Sequence, residues 1–169
     1  MNTVERFNLS LLESGRAQPE IAAVWKEWRQ GGNFSDFSLS LKQRMTLSAG
    51  HAQEGSSPAL LSVGAESFVA KCFGPDWARS AIVQEETPDP ALERLASAGY
   101  HSAISNEPNY DIMSVTCRDE NDRWMQLLYE RLIVPLPLAG GTVRLIGCMT
   151  APIAPIRWLP EQYSPLIPD

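Results

Sequence analysis

Apolar residues recur along this chain with two different periods, and the change from one to the other marks its elements. Ile21, Val24, Trp25 and Trp28 stand at i, i+3, i+4 and i+7, which is one stripe of a helix opening near Pro19. Glu20, Lys26, Glu27 and Arg29 fill the remaining surface, and Gly31-Gly32 ends the helix. Two tryptophans on one stripe need cover, supplied either by the chain's own sheet or by a partner subunit. Residues Asn33 to Pro58 are rich in Ser, Gly, Gln and Ala, interrupted by an amphipathic segment, Leu39 to Leu47, that reads as a helical turn or a strand. Gly55-Ser56-Ser57-Pro58 marks a boundary. Ala59 to Gly64 and Phe68 to Phe73 read as two strands of a hairpin turned at Glu66-Ser67. Gly74-Pro75-Asp76 then starts a helical turn through Trp77 and Ala78. Asp89 as N-cap and Pro90 at the first helical position open a longer helix, with Leu92, Leu95, Ala96 and Gly99 at helical spacing, running toward Ile104.

The last third changes period. Tyr110 to Cys117 reads as a strand, and Arg118-Asp119-Glu120-Asn121-Asp122-Arg123 as a polar turn. Trp124 to Leu138 is a long β-forming run, Gly140-Gly141 turns the chain, and Thr142 to Met149 returns. Together they predict an antiparallel meander. From Pro152 onward five prolines favour an extended tail, with Ile156, Trp158 and Leu159 packing back on the domain. The pattern predicts an α+β fold: a five-stranded antiparallel sheet with short helices on one face, plus the N-terminal amphipathic helix. It divides the chain at residues 1–58, 59–151 and 152–169.

Within the long run, Glu130 and Arg131 are adjacent charges pointing to opposite faces of an otherwise apolar strand. A charge there is costly unless paired, so one or both faces are expected to be partly solvent-exposed, with Arg131 bonded to a carboxylate or loop carbonyls. The alternative makes the sheet's outer face an interaction surface.

Composition narrows the function classes. A chain of 169 residues fits one domain with terminal extensions. A net charge of −6 without a Lys/Arg cluster argues against nucleic-acid binding. No apolar run is long enough for a membrane span, so no membrane insertion is expected. Cys72, Cys117 and Cys148, each falling in a predicted strand, are odd in number and widely spaced, which reads as reduced thiols in the cytoplasm.

Two strands, short helices and three closing strands is the order of PAS domains, and the residues resemble the small single-domain PAS-like proteins of alphaproteobacteria. The features that carry the likeness are Trp25 and Trp28 on the first helix, Phe73-Gly74 with Trp77, and Tyr110-Asp111. The strongest are Tyr129-Glu130-Arg131-Leu132-Ile133-Val134-Pro135-Leu136 and, after a glycine turn, Val143-Arg144-Leu145-Ile146-Gly147. Leu60 to Met149 is best covered. The likeness implies a non-catalytic sensory or protein-interaction module in signal transduction. It would act through a signalling partner or as a homodimer, touching it through Ile21, Val24, Trp25 and Trp28.

The likeness also implies a small apolar ligand, or a close-packed core, between the sheet's inner face and the helices. No cofactor is identified. Strand parity places Phe68, Ala70 and Cys72 inward, with Lys71 out; Met113, Val115 and Cys117 inward; and Val143 and Leu145 inward, with Arg144 out. Trp77, Tyr100 and Ile104 from the helices complete the candidate lining: Phe68, Cys72, Trp77, Tyr100, Ile104, Met113, Val115 and Leu145.

Other chemistries leave thinner traces. His101 lies on the long helix where haem-sensing PAS proteins carry their axial ligand, which makes a haem sensor one alternative. An enzymatic or ligand-binding α+β cone is another, and it requires Asp, Glu or His converging in one cavity. No cysteine stands in an asparagine-cysteine-arginine context for flavin photochemistry, and neither Cys-x-x-Cys nor His-x-x-x-His occurs for zinc. Asp119-Glu120-Asn121-Asp122 reads as a hairpin turn rather than a calcium loop.

Overall fold

The computed structural model describes residues 2–84, 89–138 and 144–163. A short strand β1 (Thr3–Arg6) and a 3-10 turn (Leu9–Glu13) lead to helix α1 (Pro19–Arg29). Next come a 3-10 turn (Phe34–Asp36), one turn of helix α2 (Leu39–Lys42), and strands β2 (Met45–Ala49) and β3 (Leu60–Val63). Three helices follow: α3 (Phe68–Phe73), α4 (Pro75–Gln84) and α5 (Pro90–Ile104). Strands β4 (Asn109–Arg118), β5 (Trp124–Pro137), β6 (Arg144–Pro152) and β7 (Arg157–Trp158) end the fold.

All strands join one antiparallel sheet of seven in the order β1-β4-β5-β6-β2-β3, with β7 on β5. The predicted meander is β4-β5-β6. Its predicted Gly140-Gly141 turn lies outside the described residues. Four of the five expected strands are found, as β3 to β6, and β1, β2 and β7 bring the described total to seven. The tail is extended as its prolines dictate: β7 pairs Met125 with Trp158 and Gln126 with Arg157, and Leu159 N–H donates to Trp124 O at 3.0 Å. β6 and β7 thus run one after the other along the same edge of β5.

Helices cover both faces. On one side α1 buries Ile21, Val24 and Trp25 against Leu132, Val134, Leu136, Met149 and Ala151. On the other, α3, α4 and α5 lie over Met113, Val115, Cys117, Met125, Leu127 and Tyr129, with Ala103, Tyr100 and Ile104 over Ile133, Ile146 and Cys148. The stripe expected to meet a partner is therefore spent inside the chain: Ile21 and Val24 are fully buried, and Trp28 Nε1 donates to Pro135 O at 2.7 Å. The boundary expected at residue 58 falls between two hydrogen-bonded strands, because β2 pairs with β6 as well as β3.

Phe68–Phe73 is a helix, not the predicted strand. Alternation (Phe68, Ala70, Cys72) and helical spacing (Phe68, Val69, Cys72, Phe73) describe this short run equally well. Capping decides between them, since Ser67 Oγ accepts from Ala70 N–H at 3.2 Å. The strand that pairs with β3 comes instead from Met45–Ala49. The predicted start of α5 matches: Asp89 Oδ1 accepts from Ala91 and Leu92 N–H at 2.9 and 3.2 Å.

The β4–β5 turn is tied to α4. Asp119 accepts from Arg123 Nε, Arg123 N–H and Asn121 N–H, which frees Glu120 to reach outward. Glu120 Oε2 accepts from Trp77 N–H at 2.6 Å and caps the first turn of α4. Gly74 makes room for this contact: its φ is +100°, and a Cβ there would run into the Glu120 carboxylate. Gly74→Ala should therefore cost about 1–3 kcal/mol, from strain and collision together. Adding Glu120→Ala should return only the collision part. Urea unfolding reads both, and a Gly74→Ala chain as stable as the parent would remove the contact from this account.

Candidate functional site

The site is built on the two adjacent charges of β5. Strand alternation sends Glu130 toward α1, where its Oε2 accepts from Gln18 N–H at 2.9 Å, and sends Arg131 toward α5. Arg131 is 3% exposed and meets Asp111, its direct neighbour on β4. The pair is bidentate, with Nε on Oδ1 at 2.9 Å and Nη2 on Oδ2 at 2.7 Å. Nη1 donates to Ala96 O on α5 at 3.0 Å, and Asn109 Nδ2 donates to Asp111 Oδ2 at 2.6 Å. Gly99 allows the helix this close: a Cβ there would lie 2.8 Å from Asn109 Nδ2 and 2.9 Å from Arg131 Nη2. Burial alone would lower the Arg131 pKa, but the hydrogen bonds and charge of Asp111 outweigh it and hold the guanidinium ionised. The expected carboxylate partner of Arg131 is thus present, but its carbonyl partner is in helix α5 rather than a loop, and neither Glu130 nor Arg131 faces solvent as expected, because helices cover both faces.

Arg131 stands beside a cavity of about 110 Å³ between the sheet and α3–α5. Its roof is apolar: Phe68, Val69, Cys72 and Phe73 from α3, Trp77 from α4, and Leu92 and Ala96 from α5. Its floor is polar. Arg131 lies directly opposite Thr150, and Thr46 directly opposite Cys148, with Ser48 two residues further along β2. The Tyr100 ring reaches over from α5, 5.7 Å from the Arg131 guanidinium, and its hydroxyl meets the Cys148 thiol. Ser48 and Thr150 are both buried and both line this space. The guanidinium has five N–H donors, of which Asp111 and Ala96 engage three.

Of the eight predicted lining residues, Phe68, Cys72, Trp77 and Tyr100 line the cavity. Met113 and Val115 are buried on the same face but beneath other side chains, and Ile104 packs with Ile133 and Ile146. Leu145 is on the opposite face with α1, so the parity assigned to the last strand was inverted; Val143 lies outside the described residues. With both faces covered, an outward Arg144 at the strand end does not identify the inner one. The polar floor was missed, and its signal was the alternate spacing of Cys148 and Thr150 and of Thr46 and Ser48.

His101 is not part of the lining. The space is smaller than the roughly 150 Å³ cavity that accepts benzene, so it has no room for a macrocycle. Among the described residues no group of three or more His, Cys, Asp or Glu side chains is placed to hold a metal ion, and no helix is long and apolar enough to cross a membrane. No protein-family model matches the chain, and no curated protein matches it.

Two predictions follow from the electrostatics here. Removing one member of the Arg131–Asp111 pair strands the other in the interior, so Arg131→Met or Asp111→Ala should each cost about 3–5 kcal/mol. The double variant should cost less than the sum by about 2 kcal/mol or more, and additive losses in urea unfolding would contradict the coupling. The second concerns alkali. Burial raises the Cys72 and Cys117 thiols and the Tyr110 phenol to about 12 each, with Glu130 adding to the Tyr110 shift. The native chain keeps protons that the unfolded chain releases from roughly pH 8.5 upward. Stability is therefore complete below that pH and is lost as pH rises toward 12. Unfolding free energies at pH 7, 9 and 11 should fall in that order, and a flat profile would refute the burial of these groups.

Proposed function

We propose that this chain is a non-catalytic PAS-like sensory module of signal transduction that reads a small molecule in the cavity beside Arg131. The observation that carries the reading is the position of that cavity. It lies between the inner face of a sheet and helices α3–α5, within residues 45–152, which run two strands (β2, β3), three helices, then three strands (β4 to β6). This is the order, and the ligand position, that the PAS resemblance implies. β6 pairs with β2 and so brings the last strand of the set against the first.

Against the enzymatic cone stands the lining itself, which among the described residues holds one carboxylate, Glu93, and no histidine. Two groups of separated pKa are what acid–base chemistry asks of such a site. The three free, buried thiols fit a reducing, cytoplasmic setting. Contact with a signalling partner, or with a second copy, falls on a surface other than the α1 stripe, since α1 is consumed by the chain's own core.

Ala96 stands in the cavity wall, so Ala96→Leu places new side-chain volume in the space a ligand would use. A bacterial metabolite extract should raise the Tm of the parent chain by about 3 °C or more, the response to a ligand at roughly ten times its Kd. The Ala96→Leu chain should not respond. No shift in the parent, or equal shifts in both, would end the sensory reading. Native mass spectrometry of the same sample gives the subunit count.

A further inference from the structure

The cavity's two sides differ in chemistry, and the difference selects a class of ligand. We infer, resting on the ligand-binding reading above, that the cavity takes a compact uncharged molecule of about six heavy atoms. One end carries a hydrogen-bond acceptor for Arg131, and the rest is an apolar ring or short chain. Size follows from the volume of about 110 Å³, below the roughly 150 Å³ that benzene occupies in an engineered cavity. The apolar body follows from the roof, where Phe68, Phe73 and Trp77 face the floor.

The polar end follows from unfilled bonding capacity. Arg131 has donors left over after Asp111 and Ala96, and the Ser48 and Thr150 hydroxyl residues line the same space. Both hydroxyl residues and Arg131 are more than nine-tenths buried. A carbonyl oxygen can accept from Arg131 while a neighbouring N–H or O–H is accepted by Ser48 or Thr150. A purely apolar ligand would leave these groups desolvated and unpaired, which is unfavourable.

Charge is excluded by the same residues. The guanidinium is already neutralised by a bidentate carboxylate, and Glu93 adds a negative charge to the lining. An anion entering here meets no net positive charge, and the Asp111 carboxylate that a cation would seek is already taken by Arg131, which leaves only the half-buried Glu93.

The test compares probes of one size on the full chain by NMR titration. These are 2-pyrrolidinone (acceptor and donor), cyclopentane (neither) and butyrate (anionic). The lactam should bind about tenfold more tightly than either of the others, the worth of one good hydrogen bond, and should shift the Arg131 Nε–H resonance. Ser48→Ala with Thr150→Val should bring the lactam down toward the cyclopentane level, while cyclopentane binds at least as well as to the parent. If that variant does not fold, the three-probe ranking on the parent chain decides alone. Cyclopentane binding as well as the lactam, or butyrate binding better, overturns the ligand class while the binding reading survives. No binding by any probe overturns both.

Discussion

The buried Arg131–Asp111 pair is the constraint around which the rest of the structure is arranged. Taking two charges out of water costs several kcal/mol each, and only close geometry with full hydrogen bonding offsets that. Here the offset draws on three elements at once: Asp111 and Asn109 from β4, Arg131 from β5, and the Ala96 carbonyl from α5. The consequence is specificity more than net stability. Slipping β4 by one residue against β5 would carry Asp111 to the α1 face and leave Arg131 buried alone. Moving α5 along its axis would replace Gly99 with a side chain at the point where no Cβ fits. One ion pair thereby fixes strand register and helix position together.

The neighbouring residue does the same for the other face. Glu130 is buried, accepts from the backbone at the start of α1 and meets the Tyr110 hydroxyl. Two consecutive charges on β5 thus pin a helix to each side of the sheet, and α1 is seated by a polar contact at its first turn and by the Ile21, Val24 and Trp25 stripe along its length. The tail then occupies the edge of β5 that β6 leaves open, so that β5 is paired along both sides. This explains why the most apolar strand of the chain can carry charge in its middle: each charge has an assigned partner on its own face.

How far the sequence made this legible follows from the physics of each signal. Helix α1, the Asp89–Pro90 start of α5 and the β4-β5-β6 meander were readable, because long periodic runs and caps are local signals. The Phe68–Phe73 helix was not, because six residues satisfy both periods and only the Ser67 cap separates them. β2 was hidden in a stretch whose polar residues, Thr46 and Ser48, point into the fold rather than to solvent. The same inversion concealed half of the site. Alternation reveals an inner face only when the outer face is wet, and here α1 covers it. Arg131 was marked by its cost, whereas Thr46, Ser48, Cys148 and Thr150 are polar side chains too small to look out of place in a strand.

The polar floor also accounts for there being a cavity at all. Apolar helices settle onto an apolar sheet until the space between them closes. They cannot settle onto Arg131 in the same way, because direct apolar cover would leave its remaining N–H donors buried without partners. Arg131 and Tyr100 stand between α5 and the sheet and hold that helix at its height. A volume of about 110 Å³ over such a floor is room for about three waters, each able to satisfy groups the protein leaves open. A ligand that reproduces those hydrogen bonds while covering the apolar roof gains by releasing them, and one that covers only the roof does not. The same residues that keep the space from collapsing therefore decide what is able to fill it.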